Sequence, residues 1–169
     1  MNIRVLEPED AQAFQALRLF ALQESPSAFG SSHEEERDRT IQQVSAHLSG
    51  SPERRFFGYF ENDELVAVVG VGREQGLKER HNAFVRSMFV APAVRGRGIG
   101  KQLIQAALAQ ALEWSGVEQV SLTVTATNQA AIHLYRSCSF VELGCMPRAL
   151  KVEAEYYDEI TMLHRPGTA

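Results

Sequence analysis

The chain has 169 residues, 44% of them hydrophobic and 22% charged, with a formal net charge of −4. One domain over residues 1–169 is expected at this length, with a core large enough to need no disulfide or metal staple. The acidic balance argues against a nucleic-acid binder, no apolar run reaches membrane-spanning length, and the N-terminus does not read as a signal peptide.

Residues 2–7 alternate polar and apolar and are expected as a strand. Pro8, Glu9 and Asp10 have the composition of a first helical turn, and Phe14, Leu17, Phe20 and Ala21 would form the apolar face of that helix. Pro26 and Gly30 break the pattern, so 24–36 is expected as a loop, and 41–48 as a second helix. Strands are expected at 54–60 and 64–72, joined by a hairpin turn at Asn62 and Asp63. A strand over 81–92 ends at a proline. A helical stripe of Leu103, Ile104, Ala107, Leu108, Ala111 and Leu112 follows. Next comes a strand over 117–126, with Val120, Leu122 and Val124 on one side, and then a short helix within 128–140 that Asn128 can cap. The tail, 149–165, is strand-rich. The order β-α-α-β-β-β-α-β-α-β-β, with no repeat or linker, predicts a mixed sheet in an α+β domain.

The stretch 90–104, VAPAVRGRGIGKQLI, interleaves Gly96, Gly98 and Gly100 with Arg95, Arg97 and Lys101 at a strand-to-helix junction. Glycine there costs backbone entropy and packs nothing, so something must approach the backbone closely. Cations at a helix N-terminus make that partner an anion. The nucleoside-triphosphate loop does not fit, because Arg95 stands in its first glycine place and Gln102 follows Lys101 where Ser or Thr is required. The dinucleotide fingerprint does not fit either, because Gly100 comes one residue too early. A turn that only reverses the chain would leave the interleaved cations unexplained.

The remaining pattern, R-x-x-G-x-G at Arg95, Gly98 and Gly100, resembles the pyrophosphate-binding motif of the GCN5-related N-acetyltransferases, the GNAT family. Residues 122–140 resemble that family's second segment at Leu122, Val124, Asn128, Ala131, Leu134, Tyr135 and Phe140, with Ser139 in place of the usual glycine. The resemblance covers most of the chain. It implies a GNAT-like mixed, mostly antiparallel sheet flanked by helices and splayed at the central parallel strands. It also implies acetyl-CoA as co-substrate, with no metal.

The resemblance further places the pantetheine arm and thioester on the backbone of Met88, Phe89 and Val90. The diphosphate falls on Arg95, Gly96, Arg97, Gly98, Ile99, Gly100 and Lys101, and Asn128 also touches the cofactor. Tyr135 aligns with the family's proton donor. A phenol (pKa ~10) can protonate a departing thiolate (thiol pKa ~8.5). The general base is open. No carboxylate stands at 82–86, and Thr123 stands where N-terminal protein acetyltransferases of ribosomal proteins carry glutamate. His33, Glu34 and Glu35 remain, acting through water. The acceptor, a small amine or a peptide, is expected between 27–36 and 156–161. Phe29, Tyr156 and Tyr157 would be apolar walls there, and Glu34 the partner of a cationic amine. Peptide N-terminal acetylation and a non-catalytic acyl-CoA sensor of the same fold are the alternatives, a homodimer is left open, and no nucleic acid or membrane is expected as partner. Cys138 and Cys145 match no metal or redox spacing and read as reduced thiols of a cytoplasmic protein.

Overall fold

Period-two strands and apolar-faced helices assemble around one sheet. The computed structural model describes residues 2–167. Strands β1 (Ile3–Val5), β2 (Arg54–Glu61), β3 (Glu64–Arg73), β4 (Asn82–Val90), β5 (Gln119–Thr125), β6 (Val141–Val152) and β7 (Glu155–His164) lie in the order β1-β2-β3-β4-β5-β7-β6. Neighbours are antiparallel except β4 and β5, which are parallel. The helices are α1 (Ala11–Glu24), α2 (His33–Glu36), α3 (Ile41–Ser49), α4 (Ile99–Glu113) and α5 (Gln129–Ser137). This is the mixed α+β sheet that the element order predicts.

β3 is apolar almost throughout because both its faces are covered. Val68 joins Phe14, Leu17, Val44 and Leu48 of α1 and α3 on one side. Its neighbour Val69 joins Leu103, Ile104 and Ala107 of α4 on the other. The hairpin turn between β2 and β3 has both Asn62 (φ 49°) and Asp63 (φ 66°) left-handed, the geometry that matches strand twist.

Four local expectations are corrected. Pro8–Asp10 is a short 3₁₀ turn ahead of α1 rather than its first α-turn. Phe20 is 46% exposed, off the buried face, with its ring edge-on to Phe89. Within the expected loop, His33–Glu36 is helical, because Ser32 and Glu35 form a reciprocal capping box. β6 begins at Val141, eight residues before the expected strand-rich tail. Its first half is an edge strand with Val141, Leu143 and Met146 exposed, so no burial alternation marks it.

Two features position the site. β4 and β5 pair only at Asn82, Ala83 and Phe84 with Gln119, Val120 and Ser121, and then diverge. The β3–β4 register shifts between Val68 and Gly70, and Ser87 adopts φ 55°, so β4 bulges just beyond the point where it parts from β5. On the α1 side, Arg18 grips the Glu36 carboxylate at 2.9 and 3.1 Å, with both side chains buried, and Gln15 donates to the Glu36 carbonyl. Arg18 also stacks on Phe29, 4.8 Å from the ring centre, so it clamps the whole 29–36 segment onto α1.

Burial raises the Glu36 pKa, but the Arg18 hydrogen bonds and the charges of Arg18 and Arg39 outweigh it and hold it below the ordinary carboxylate value. A depressed folded-state pKa gives stability that is full above the unfolded value and lost as pH falls through the folded one. Arg18→Met leaves that carboxylate buried and should cost about 3 kcal/mol in urea unfolding at neutral pH. The double variant Arg18→Met, Glu36→Met should cost less than Arg18→Met alone, and its stability should fall less between pH 5 and pH 3 than the parent's.

Candidate active site

Beyond Phe84 and Ser121 the diverging strands leave a cavity of about 750 Å³ between β4, β5 and the N-terminal ends of α4 and α5. Met88, Phe89 and Val90 line it from β4. Ser87 and Met88 have no register partner in the β3 ladder, and the pairing of β4 with β5 has already ended at Phe84. The side chains of Met88 and Phe89 meanwhile pack with the cores on either face of the sheet.

The glycine loop forms the cavity's other wall. Gly96 and Gly98 both have φ 76°, and a Cβ at either would meet no atom within 4 Å. Their freedom from a side chain therefore serves backbone conformation and open space. Gly100 also lines the cavity, but for a different reason. A Cβ there would lie 3.0 Å from Leu134 and 3.3 Å from Met88, so this glycine lets α4 sit against α5. α4 makes its first internal bond from the Gln102 N–H to the Gly98 carbonyl. The N–H groups of Gly98, Ile99, Gly100 and Lys101 have no acceptor among the described residues. Ile99 is 2% exposed and contributes backbone only.

The loop's cations divide. Arg95 lines the cavity, with Nε donating to the Val90 carbonyl (2.9 Å) and its terminal nitrogens donating to Glu24 (3.0 and 3.3 Å). Arg97, expected at the diphosphate, is turned to Glu61 and does not line the cavity. The exposed Lys101 lines the cavity and has no ion-pair partner among the described residues.

From α5, the Asn128 side-chain oxygen accepts from the Ala131 N–H at 3.1 Å, which caps the helix and leaves its amide nitrogen on the cavity. Tyr135 is 6% exposed, its ring edge-on to Phe140 at 6.0 Å. Tyr135 lines the cavity, and its hydroxyl makes no hydrogen bond among the described residues. Burial pushes its pKa above the usual phenol value. The phenol therefore stays protonated through neutral pH.

The acceptor candidates are not all brought together. Phe29 lines this cavity and also a second one of about 530 Å³, which lies between 22–35 and the β6–β7 hairpin at 150–153. Glu34 lines only the second, with His33 and Glu35. A backbone hydrogen bond chiefly lowers its pKa, so Glu34 is ionised at neutral pH. Tyr156 lines neither cavity. It lies under Arg148 (3.7 Å to the ring centre) and Lys151 (5.3 Å) on the outer hairpin, and its place as an acceptor wall is corrected. Sequence reasoning missed Glu24, the one carboxylate among the residues lining the main cavity. It ends α1 and meets Arg95 across 71 residues, a separation over which no local pattern operates.

Residues 16–140 match the Acetyltransferase (GNAT) family. The N-alpha-acetyltransferase RimI of Mycobacterium tuberculosis is 32% identical over 69% of this chain and 70% of its own length. A spermidine N(1)-acetyltransferase of Vibrio cholerae is 26% identical over 72% of this chain and 68% of its own. An uncharacterized Mycobacterium leprae protein is 37% identical over 51% of this chain, which spans only 23% of that relative's length. In fold, the structure of yncA from Salmonella typhimurium, solved with acetyl-CoA, superposes with a TM-score of 0.79 over 100% of this chain and 95% of that one, at 19% identity. The chain belongs to the GNAT family and is an acetyltransferase.

The cavity fits a diphosphate ligand such as coenzyme A on its own terms. Four unpaired N–H groups converge at a helix N-terminus, an unpaired lysine stands beside them, and open space lies over Gly98. Gly98→Val forces a left-handed side chain, which costs about 1–2 kcal/mol of folding stability. It also covers those N–H groups, so calorimetric titration should show no coenzyme A binding. Gly100→Ala meets only the flexible ends of Leu134 and Met88 and should retain binding. Parental affinity in folded Gly98→Val would place the diphosphate elsewhere.

Proposed function

We propose that the chain moves the acetyl group of acetyl-CoA to a primary amine by direct attack, with Tyr135 as general acid. One observation carries the reading: the unpaired hydroxyl of Tyr135 shares its cavity with the unpaired N–H groups that begin α4. Acetyl-CoA supplies the activated thioester. The N–H groups of Gly98, Ile99, Gly100 and Lys101, with the Lys101 ammonium, hold its diphosphate, and the bulged backbone of Met88, Phe89 and Val90 orients the arm that follows. Tyr135 holds a proton at its phenol oxygen, ready for the departing sulfur.

The acceptor reading rests on Pro26 and Phe29, which line both cavities. An amine whose nitrogen reaches the main cavity extends its remainder past Phe29 into the second, where Glu34 and Glu35 favour a further positive charge. A diamine or polyamine fits that arrangement, and the Vibrio cholerae relative is named for such an acceptor. Thr123 in the main cavity supplies no carboxylate of the kind expected for protein N-termini. Free Cys138 and Cys145 suit a cytoplasmic setting.

The test is free-thiol release from acetyl-CoA across a panel of monoamines, diamines and peptide N-termini. Diamines should give the highest kcat/KM. Tyr135→Phe removes one oxygen and should lower kcat by at least about a hundredfold, with coenzyme A affinity unchanged. Because burial raises the Tyr135 pKa, the parent's rate should show no fall from phenol ionisation below about pH 10. Glu34→Gln should raise KM for diamines and leave monoamines and acetyl-CoA as they were. Tight acetyl-CoA binding without thiol release for any amine would favour a non-catalytic sensor.

A further inference from the structure

An anion site with a carboxylate in its wall needs a reason. Glu24 lines the main cavity with the unpaired N–H groups of α4, and its two oxygens occupy both terminal nitrogens of Arg95. The third nitrogen, Nε, is spent on the Val90 carbonyl. Arg95 therefore has no fork left for a diphosphate while Glu24 holds it. The pair is held loosely. Side-chain exposure is 47% for Arg95 and 27% for Glu24, and exposed ion pairs contribute little. Glu24 also has a second partner in place, because the Ser25 hydroxyl donates to the same carboxylate. It can give up Arg95 without becoming unpaired.

We infer that Glu24 is an internal competitor for Arg95, a carboxylate that the diphosphate must displace and that returns as the product leaves. The inference rests on the acetyl-CoA reading above. Before displacement, Glu24 cancels the charge of the loop's leading arginine and presents like charge to an entering anion. During occupancy, Arg95 turns its terminal nitrogens to the phosphate oxygens in a charge-assisted fork and keeps its Nε bond to Val90. On release, the waiting carboxylate recaptures the arginine and lowers the barrier to departure. Glu24 thus holds coenzyme A affinity down and product release up, which makes it a positioning residue acting through Arg95. Glu61 pairs with Arg97 in the same geometry, but neither residue lines the cavity.

Calorimetry and stopped-flow dissociation with coenzyme A alone test this without turnover. Glu24→Gln should tighten coenzyme A binding by about twofold to fivefold, the range an exposed ion pair commands. The gain should appear as slower dissociation, and binding should weaken more steeply with added salt than in the parent, because the parent trades its Arg95–Glu24 pair for the phosphate contact whereas the variant gains that contact without breaking a pair. A merely structural role for Glu24 would weaken binding and leave the salt slope alone. Arg95→Gln should weaken the parent and erase the gain when combined with Glu24→Gln. Glu24→Asp keeps the charge but draws it back by one methylene, and should fall between parent and Glu24→Gln. It serves as the test if Glu24→Gln folds poorly. Affinity equal to or below the parent's in Glu24→Gln, or an unchanged salt slope, overturns the competitor role. A parent that binds no coenzyme A overturns the acetyl-CoA reading itself.

Discussion

Only three residue pairs join β4 to β5, and the functional geometry follows from their parting. Parallel pairing is the weaker kind per residue, so the sheet gives way where it is easiest to open. Each strand keeps a ladder on its far side, β5 with β7 without a register shift and β4 with β3 on both sides of the bulge. The inner edges lose partners without the strands losing definition. Buried backbone groups need hydrogen bonds, so two facing inner edges form a slot suited to a ligand with amide groups of its own. On the α4–α5 side, Leu103, Ile104 and Ile132 are 0–1% exposed and belong to one core cluster with Val120, Leu122 and Val124 of β5.

The bulge at Ser87 and the left-handed glycines at 96 and 98 act on the same slot from two sides. The bulge takes β4 out of register just beyond the point of divergence, and the glycines turn the chain so that α4 starts with its N–H groups toward the opening. Helix dipole and unpaired donors then coincide at one place. Tyr135 reaches the same cavity because Asn128 starts α5 beside the end of β5, and Tyr135 lies about two turns on, on the buried face with Ile132. The unpaired donors of α4 and the buried Tyr135 phenol are thus brought to one cavity by two helix starts and one bulge, all of them backbone features.

Those backbone features were legible in the sequence because they are local. The glycine spacing, the Asn128 cap and the Asn62–Asp63 turn are each carried by fewer than a dozen consecutive residues, and the splay entered through the family resemblance those residues supported. Long-range charge pairs were not legible. Arg18 meets Glu36 across 18 residues, Arg97 meets Glu61 across 36 and Arg95 meets Glu24 across 71, and no periodicity links the members. For the same reason the pairing of Arg97 with Glu61 of β2 gave no sign in the sequence. The early half of β6 escaped because an uncovered strand need not alternate. The α2 turn escaped for a weaker reason: its Ser32–Glu35 capping box is written in the sequence, but it stands between Gly30 and a run of charge that reads as loop.

Charge alone is a poor basis for recognition at this site. Two of the loop's three cations are answered by carboxylates, and these exposed pairs lie in solvent whose screening length is about 8 Å at physiological salt. With both pairs in place, what is left is a single lysine and four directional N–H groups. A lone anion gains little from such donors unless its oxygens fall where they point, whereas a diphosphate presents several oxygens at fixed spacing. Neutralising the arginines therefore moves discrimination from net charge to geometry. An acidic protein can hold an anionic ligand on those terms without becoming a general anion binder, because affinity is drawn from the backbone of α4 rather than from the field of the whole chain.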